Sequence, residues 1–304
     1  MFNNYRQRCK YTSSIINQKM NLEKKKNYTA APLPFMGQKR RFLKDFKNAL
    51  ADYPIDATYI DLFGGSGLLS HTVKQVYTGA KVIYNDYDGY SERLANIDKT
   101  NQLIADLRAI LKDSPTDKKI VDEFRTKVIE RVELEDNSGY VDYITLSSSI
   151  LFSMKYVQSL EQLKKETLYN VVRQSNYTAV GYLEGLEVVS IDYKELFHKY
   201  KDLPNVVFLV DPPYLSTETG TYKSYWKLKD YLDVLQVLDG TNYFYFTSNK
   251  SSIIELCEWI ETKTPMSNPF TGAIRLETKN QVNFQHSYTD IMLHKKWTSN
   301  STEL

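Results

Sequence analysis

The sequence predicts an α/β fold with a mostly parallel sheet. The first sign is Val206-Val207-Phe208-Leu209-Val210, an unbroken apolar run that suits a strand buried on both faces. It ends in Asp211-Pro212-Pro213-Tyr214, where two prolines stop the strand and hold the backbone extended. The second is Thr58 to Phe63, then Gly64-Gly65-Ser66-Gly67, then a helical stretch from Leu68 to Val76. Strand, glycine turn and helix in that order open a nucleotide-binding βαβ unit. The third is Lys81 to Asp86, a strand whose terminal acid lies nineteen residues after Gly67. In such units an acid at about that distance grips a ribose hydroxyl. Capping a helix is its other use, and Asn85 and Asp88 serve that use equally well.

The elements follow in chain order. Residues 1–27 are polar and basic and read as a loosely ordered tail, within which Met20 is an alternative start to Met1. Ala31 to Lys39 is turn-rich, with Gly37 allowing close backbone approach and Lys39 at a helix start. Arg40 to Leu50 is an amphipathic helix with Phe42, Leu43, Phe46 and Leu50 on one face. Residues 89–185 then interrupt the βα rhythm. Asn101 to Leu111, Lys119 to Leu134, Tyr140 to Met154 and Leu160 to Gln174 carry helical spacing, which predicts a mainly helical insertion. The sheet resumes with Leu186 to Tyr193, where Asp192 either caps the next helix or accepts from an adenine amino group. Leu215 to Trp226 is polar and aromatic without periodicity, a loop long enough to be functional. Leu228 to Leu238 is a helix, Tyr243 to Asn249 a strand and Ser252 to Glu261 a helix. Ile274 to Thr278 and Thr289 to Lys295 close the chain as an antiparallel pair.

Charge is unevenly placed. Residues 1–48 hold twelve Lys/Arg against two Asp/Glu, whereas the whole chain is only +2. A basic end on a near-neutral chain suits a polyanion on one face, and a solvated tail suits residues 1–27. The insertion is balanced, with thirteen basic and fifteen acidic residues, which counts against clamping a phosphate backbone there. Cys9 and Cys257 are far apart and have no metal spacing, so a reducing, cytoplasmic setting is expected. No apolar run reaches membrane-spanning length. His71, His198, His286 and His294 show no zinc or triad spacing, and structural or exposed roles are expected for all four.

Four stretches now stand in one order: Pro34-Phe35-Met36-Gly37-Gln38-Lys39, Phe63 to Gly67, Asp86, and Asp211 to Tyr214. This ordered set resembles the Dam-like (D12 class) N6-adenine DNA methyltransferases over roughly residues 30–295. The resemblance implies a class I, Rossmann-like methyltransferase fold with a seven-stranded sheet, S-adenosyl-L-methionine as methyl donor, no metal, and double-stranded DNA as partner. It implies a catalytic domain of residues 28–88 and 186–304, with target recognition in the insertion 89–185. Carried over by position, Phe35 and Lys39 line the methionine end of the donor, and Phe63, Gly65 and Gly67 form its loop. Asp86 takes the ribose hydroxyls, and Asp192 with Tyr193 flanks the adenine. Asp211, Pro212, Pro213 and Tyr214 bind the target base beside the methyl group, and Asp211 also counts among the residues that bind the donor. Two departures stand out. Phe35 replaces the family's frequent Trp, and Val172 to Tyr182 lacks the family's Arg-x-Asn-x-x-Gly-x-Phe-Asn pattern associated with GATC.

The chemistry gives these residue types a purpose. The adenine N6 lone pair is delocalised into the ring, and acceptors such as Asp211 and the Pro212 carbonyl localise it toward the methyl group. Tyr214 stacks on a flipped base, with Phe246, Tyr222 or Trp226 as candidates for its other face. Cytosine N4, RNA adenine and a non-catalytic DNA-binding module remain alternatives, and a cognate restriction endonuclease remains open as a partner. Enzymes for cytosine N4 or RNA adenine that resemble this family more often have Ser or Asn where this chain has Asp211, so the Asp argues against them.

Overall fold

In the computed structural model, the structure describes residues 27–152, 155–214, 226–263, 267–281 and 287–297. Residues 1–26 of the predicted tail, with Met1, Cys9 and Met20, as well as Tyr222, His286 and most of the expected 215–226 loop, lie outside the described residues.

Seven strands form one sheet: β1 (Thr58–Asp61), β2 (Lys81–Asn85), β3 (Glu187–Val189), β4 (Val206–Val210), β5 (Asn242–Ser248), β6 (Ile274–Gln281) and β7 (Ser287–Lys295). Their order is β3-β2-β1-β4-β5-β7-β6. Strands β1 to β5 pair in parallel, and β7 runs antiparallel to both β5 and β6.

The central strand β4 is buried at all five positions, and alternation explains why. Val206, Phe208 and Val210 face one apolar layer with Tyr243, Tyr245, Ile291 and Leu293. Over that layer lie α8 (Tyr193–Tyr200), α9 (Leu228–Leu238) and α10 (Ile253–Lys263). Val207 and Leu209 face the opposite layer with Tyr59, Phe244, Phe246 and Met292. There α1 (Leu43–Leu50) and α2 (Leu68–Val76) cover the sheet. Phe46 meets Phe244 edge-on at 5.0 Å between ring centroids, and Phe42 meets Phe246 at 5.8 Å.

The insertion is helical: α3 (Tyr90–Ala95), α4 (Ile97–Ile110), α5 (Asp122–Asn137), α6 (Tyr143–Ile150) and α7 (Leu160–Lys165). Its core also takes in Tyr28, Leu33, Leu43 and Leu68.

Several boundaries differ from those predicted. The helix expected from Arg40 begins at Leu43, with a turn before it. The helix expected over Leu160 to Gln174 ends at Lys165. Leu168 to Asn170 instead pair with the stretch before α5: Ile120 N donates to Leu168 O at 2.9 Å, and Asp117 N donates to Asn170 O at 2.9 Å. That pairing also starts α5 at Asp122 rather than Lys119, and it seats Leu168 and Ile120 in the core. A long-range backbone ladder has overridden helical spacing. Strand β3 is shorter than expected, and its exposed Glu187 and Val188 fit an edge strand.

Candidate active site

The carboxyl ends of β1 and β4 lie side by side, with Asp61 opposite Leu209 in the register. Side chains alternate along a strand, so Asp61 and Asp211 fall on the face covered by α1. Lys39 approaches that face from the turn before α1. Its Nζ lies 2.6 Å from Asp211 Oδ2, donates to the Gly37 carbonyl at 2.7 Å, and stands 5.6 Å from the Tyr214 ring centroid. Little water reaches the pair: the side chains are 8% and 18% exposed for Lys39 and Asp211. Burial raises the Asp211 carboxyl above the ordinary carboxylate range, the charge and hydrogen bond of Lys39 pull it back, and Asp290 pushes it up again. Pro212 is buried, while Pro213 and Tyr214 are half-buried, and the Tyr214 carbonyl accepts from Tyr231 Oη at 3.1 Å.

Asp61 did not stand out in the sequence. It is fully buried and accepts from Ser70 Oγ at 2.7 Å through Oδ2. Its Oδ1 makes no hydrogen bond among the described residues, although the Phe63 and Ser70 amides lie near enough to temper the effect of burial. Burial, with a smaller push from Asp211, raises its carboxyl to about 7. The available signal was an acid inside an apolar strand immediately before a glycine turn.

Phe35 and the glycine turn come together. Gly65 has φ +49°, and a Cβ there would stand 3.1 Å from the Phe35 ring, which itself meets Tyr90 edge-on at 5.5 Å. Gly67 takes the N-cap position of α2. Tyr182, from the segment that lacks the GATC pattern, donates its hydroxyl to Ser66 O at 2.9 Å. The insertion thus reaches the glycine turn, a contact between residues far apart in the chain.

Both acids proposed for nucleoside contacts act as helix caps. Asp86 accepts from the Tyr90 amide at 2.6 Å, the Ser91 amide at 2.8 Å, Tyr84 Oη at 3.0 Å and Ser91 Oγ, which anchors α3. Asp192 is exposed and accepts from the Lys194 amide at 2.7 Å, which anchors α8.

Phe63 and Tyr193 do meet, at 4.8 Å between ring centroids. Trp226 joins them, 5.6 Å from Phe63 and stacked on Tyr193 at 5.8 Å with planes 20° apart. That puts Trp226 with the rings expected at the donor, and it also meets Tyr231 at 5.1 Å, the residue whose hydroxyl bonds the Tyr214 carbonyl. Phe246, the other described candidate for the face opposite Tyr214, is fully buried under α1.

Among the described histidines, His71 and His294 are buried and His198 is exposed. His71 Nδ1 lies 2.6 Å from Tyr182 O, and His294 Nδ1 lies 3.2 Å from Tyr53 Oη. No group of His, Cys, Asp and Glu among the described residues has the arrangement of a metal site, and none of their helices is long and apolar enough to cross a membrane.

A sheet of this order, with a glycine turn after β1 and Asp-Pro-Pro-Tyr after β4, defines a class I methyltransferase, a fold that implies S-adenosyl-L-methionine as donor. The chain belongs to the D12 class N6 adenine-specific DNA methyltransferase family, whose model matches residues 35–302. A Haemophilus influenzae protein named "Putative methyltransferase" is 40% identical over 284 residues, 89% of this chain and 94% of that one. Among solved structures, an Escherichia coli "Putative methyltransferase" is 15% identical, covers 87% of this chain and 92% of its own, and has a TM-score of 0.29. An rRNA methylase from Streptococcus thermophilus is 11% identical, covers 86% and 100%, and has a TM-score of 0.33. Such scores carry no weight beside the strand order and the family.

Proposed function

We propose that this chain is a site-specific DNA methyltransferase that methylates the exocyclic N6 amine of an adenine turned out of the duplex. The observation that carries this reading is the Asp211 carboxylate, set beside two prolines at the end of the central strand and held by Lys39. One carboxylate oxygen accepts a hydrogen of the N6 amine, and the Pro212 carbonyl accepts the other. Each bond draws the nitrogen's lone pair out of the ring and toward the incoming carbon. Tyr214 stacks on the base, which offsets part of the few kcal/mol that unstacking costs.

The residues fit S-adenosyl-L-methionine, which when bound supplies an activated methyl group on a sulfonium. Asp61 Oδ1, buried and without a hydrogen bond among the described residues, suits the cationic amino group of its methionine end. Phe35 lines that end, and Phe63, Gly65 and Gly67 form the loop around it. Phe63, Tyr193 and Trp226 supply aromatic surface for its adenine. Asp86 has both carboxylate oxygens filled by Tyr84, Tyr90 and Ser91, so it takes the ribose hydroxyls by exchanging the bonds from the Tyr84 and Ser91 hydroxyls, and Asp192 lies at the outer edge of the adenine. Lys39, expected to line the methionine end of the donor, also pairs with Asp211. It positions Asp211 and supports its negative charge.

The test is methyl transfer from labelled S-adenosyl-L-methionine to unmethylated duplex DNA. Asp211→Ala should lower single-turnover transfer by at least about 100-fold while its thermal melt stays cooperative. Transfer near the wild-type rate in a folded variant would contradict the assignment of Asp211.

A further inference from the structure

The edge of the sheet beside Asp211 differs in charge from the insertion. Residues 38–48 hold five Lys/Arg and one acid, and Arg40, Arg41 and Lys44 are exposed. The register brings β7 to the same place. Phe246 lies opposite Met292 and Ser248 opposite Asp290, so Asp290 and then Tyr288 continue the face on which α1 packs. Just past β5, Lys250 sets its Nζ 4.2 Å from the Tyr288 ring centroid. The turn is tied down on both sides: Asn249 N donates to Thr289 O at 2.9 Å, and Thr289 N donates to Asn249 Oδ1 at 2.8 Å. Arg41 and Lys39 are close enough to Tyr288 to favour its ionised form, against burial and Asp290.

Several of the insertion's cations pair with its own acids. Arg93 pairs with Asp142 at 3.1 Å, Arg131 with Asp106 and Glu135 at 2.8 Å each, Lys127 with Glu123 at 2.9 Å, and Lys164 with Glu133 at 2.9 Å.

We propose that Arg40, Arg41, Lys250 and Tyr288 form the surface that grips the phosphodiester backbone of duplex DNA next to the target base. This rests on the reading of the site as a DNA methyltransferase. Two elements far apart in sequence converge their cations beside one half-buried aromatic ring, immediately outside the Lys39–Asp211 pair. Guanidinium and ammonium groups neutralise phosphates whatever the sequence, so this surface gives affinity and register, and base readout falls to other residues. The carboxylates Asp211 and Asp290 lie at the same edge, and the flanking cations offset their repulsion of a polyanion.

The test is fluorescence anisotropy of a labelled, unmethylated duplex at several salt concentrations, with S-adenosylhomocysteine present. Arg41→Ala with Lys250→Ala should weaken binding at least about tenfold and lower the slope of log affinity against log salt by about two. Its calorimetric affinity for S-adenosylhomocysteine should stay at the wild-type value, and Lys127→Ala with Lys164→Ala in the insertion should leave DNA binding unchanged. An unchanged slope and affinity in the Arg41/Lys250 variant would overturn the proposal while leaving the methyltransferase reading intact. Preferential binding of RNA of the same sequence would overturn duplex DNA as the occupant. A wild-type protein that binds S-adenosylhomocysteine but no nucleic acid would overturn the functional reading itself.

Discussion

Replacing Lys39 by methionine keeps most of the side chain's volume and removes its charge. Asp211 would then lose the ammonium 2.6 Å from its Oδ2 in a setting where only 18% of its side chain is exposed. Removing one partner of a buried pair typically costs about 3–5 kcal/mol. If about 3 kcal/mol of that falls on the ionised form of Asp211, its proton affinity rises roughly a hundredfold, since 1.36 kcal/mol is tenfold. The other groups that face it act in the same direction or weakly: Asp290 pushes its carboxyl up, Asp61 is itself a raised acid beside it, and Tyr214 and Tyr245 are phenols. Asp211 accepts best when ionised, so activity is lost as pH falls through its pKa. The acid limb of the single-turnover rate should therefore move up by about two pH units in Lys39→Met. Lys39→Arg should return it most of the way. S-adenosylhomocysteine affinity, measured by calorimetry, should change much less than the limb. A limb that stays in place in Lys39→Met, with Asp211→Ala inactive, would refute the positioning role of Lys39.

Trp226→Ala should weaken S-adenosylhomocysteine binding roughly 5- to 150-fold, the loss of about 1–3 kcal/mol of base stacking, with Trp226→Phe retaining most of it; equal affinities by calorimetry would return Trp226 to the target-base side. Asp61 has a folded pKa of about 7 against an ordinary 3.8, so the folded protein keeps a proton that the unfolded chain releases. Its contribution to stability falls as pH rises through that window. The melting temperature of Asp61→Asn relative to wild type should thus increase between about pH 4 and about pH 7, and a pH-independent difference would speak against a buried, proton-holding carboxyl. Gly64→Ala would place a Cβ 2.3 Å from the Tyr84 ring and 2.7 Å from Asn85 O. It should lower the melting temperature by roughly 2–5 °C, the effect of about 1–3 kcal/mol of overpacking, and an unchanged melt would show that β2 gives way easily.

What the sequence revealed and what it hid have physical reasons. Strand β4 was legible because both of its faces are buried, which leaves five apolar residues in a row. The glycine turn was legible because backbone conformation and close approach both select the residue type, and Gly65 against Phe35 shows this. The length of the last insertion helix was not, because the signal that ends it lies in residues 117–120, about fifty positions earlier. Asp86 and Asp192 were legible as acids at strand ends, but a cap and a ligand contact need the same residue at the same place, and only geometry showed the capping bonds. The Lys39–Asp211 pair joins residues with no local relation in the chain. Register made it visible, because Asp211 shares a strand face with Val207 and Leu209, on which α1 packs. Asp61 was hidden for a similar reason: its unusual state comes from burial under α2 through Ser70, not from its neighbours in sequence.

Nucleoside mass spectrometry bears most directly on what this chain does. DNA would be taken from a host free of adenine and cytosine methylation that expresses the wild-type chain or Asp211→Ala. N6-methyladenine with the wild type, and none with Asp211→Ala, is the expected result. N4-methylcytosine would keep the fold and the role of a held acceptor but contradict adenine as the target. Absence of any methylated base in DNA, from protein that binds S-adenosylhomocysteine, would contradict the DNA methyltransferase reading.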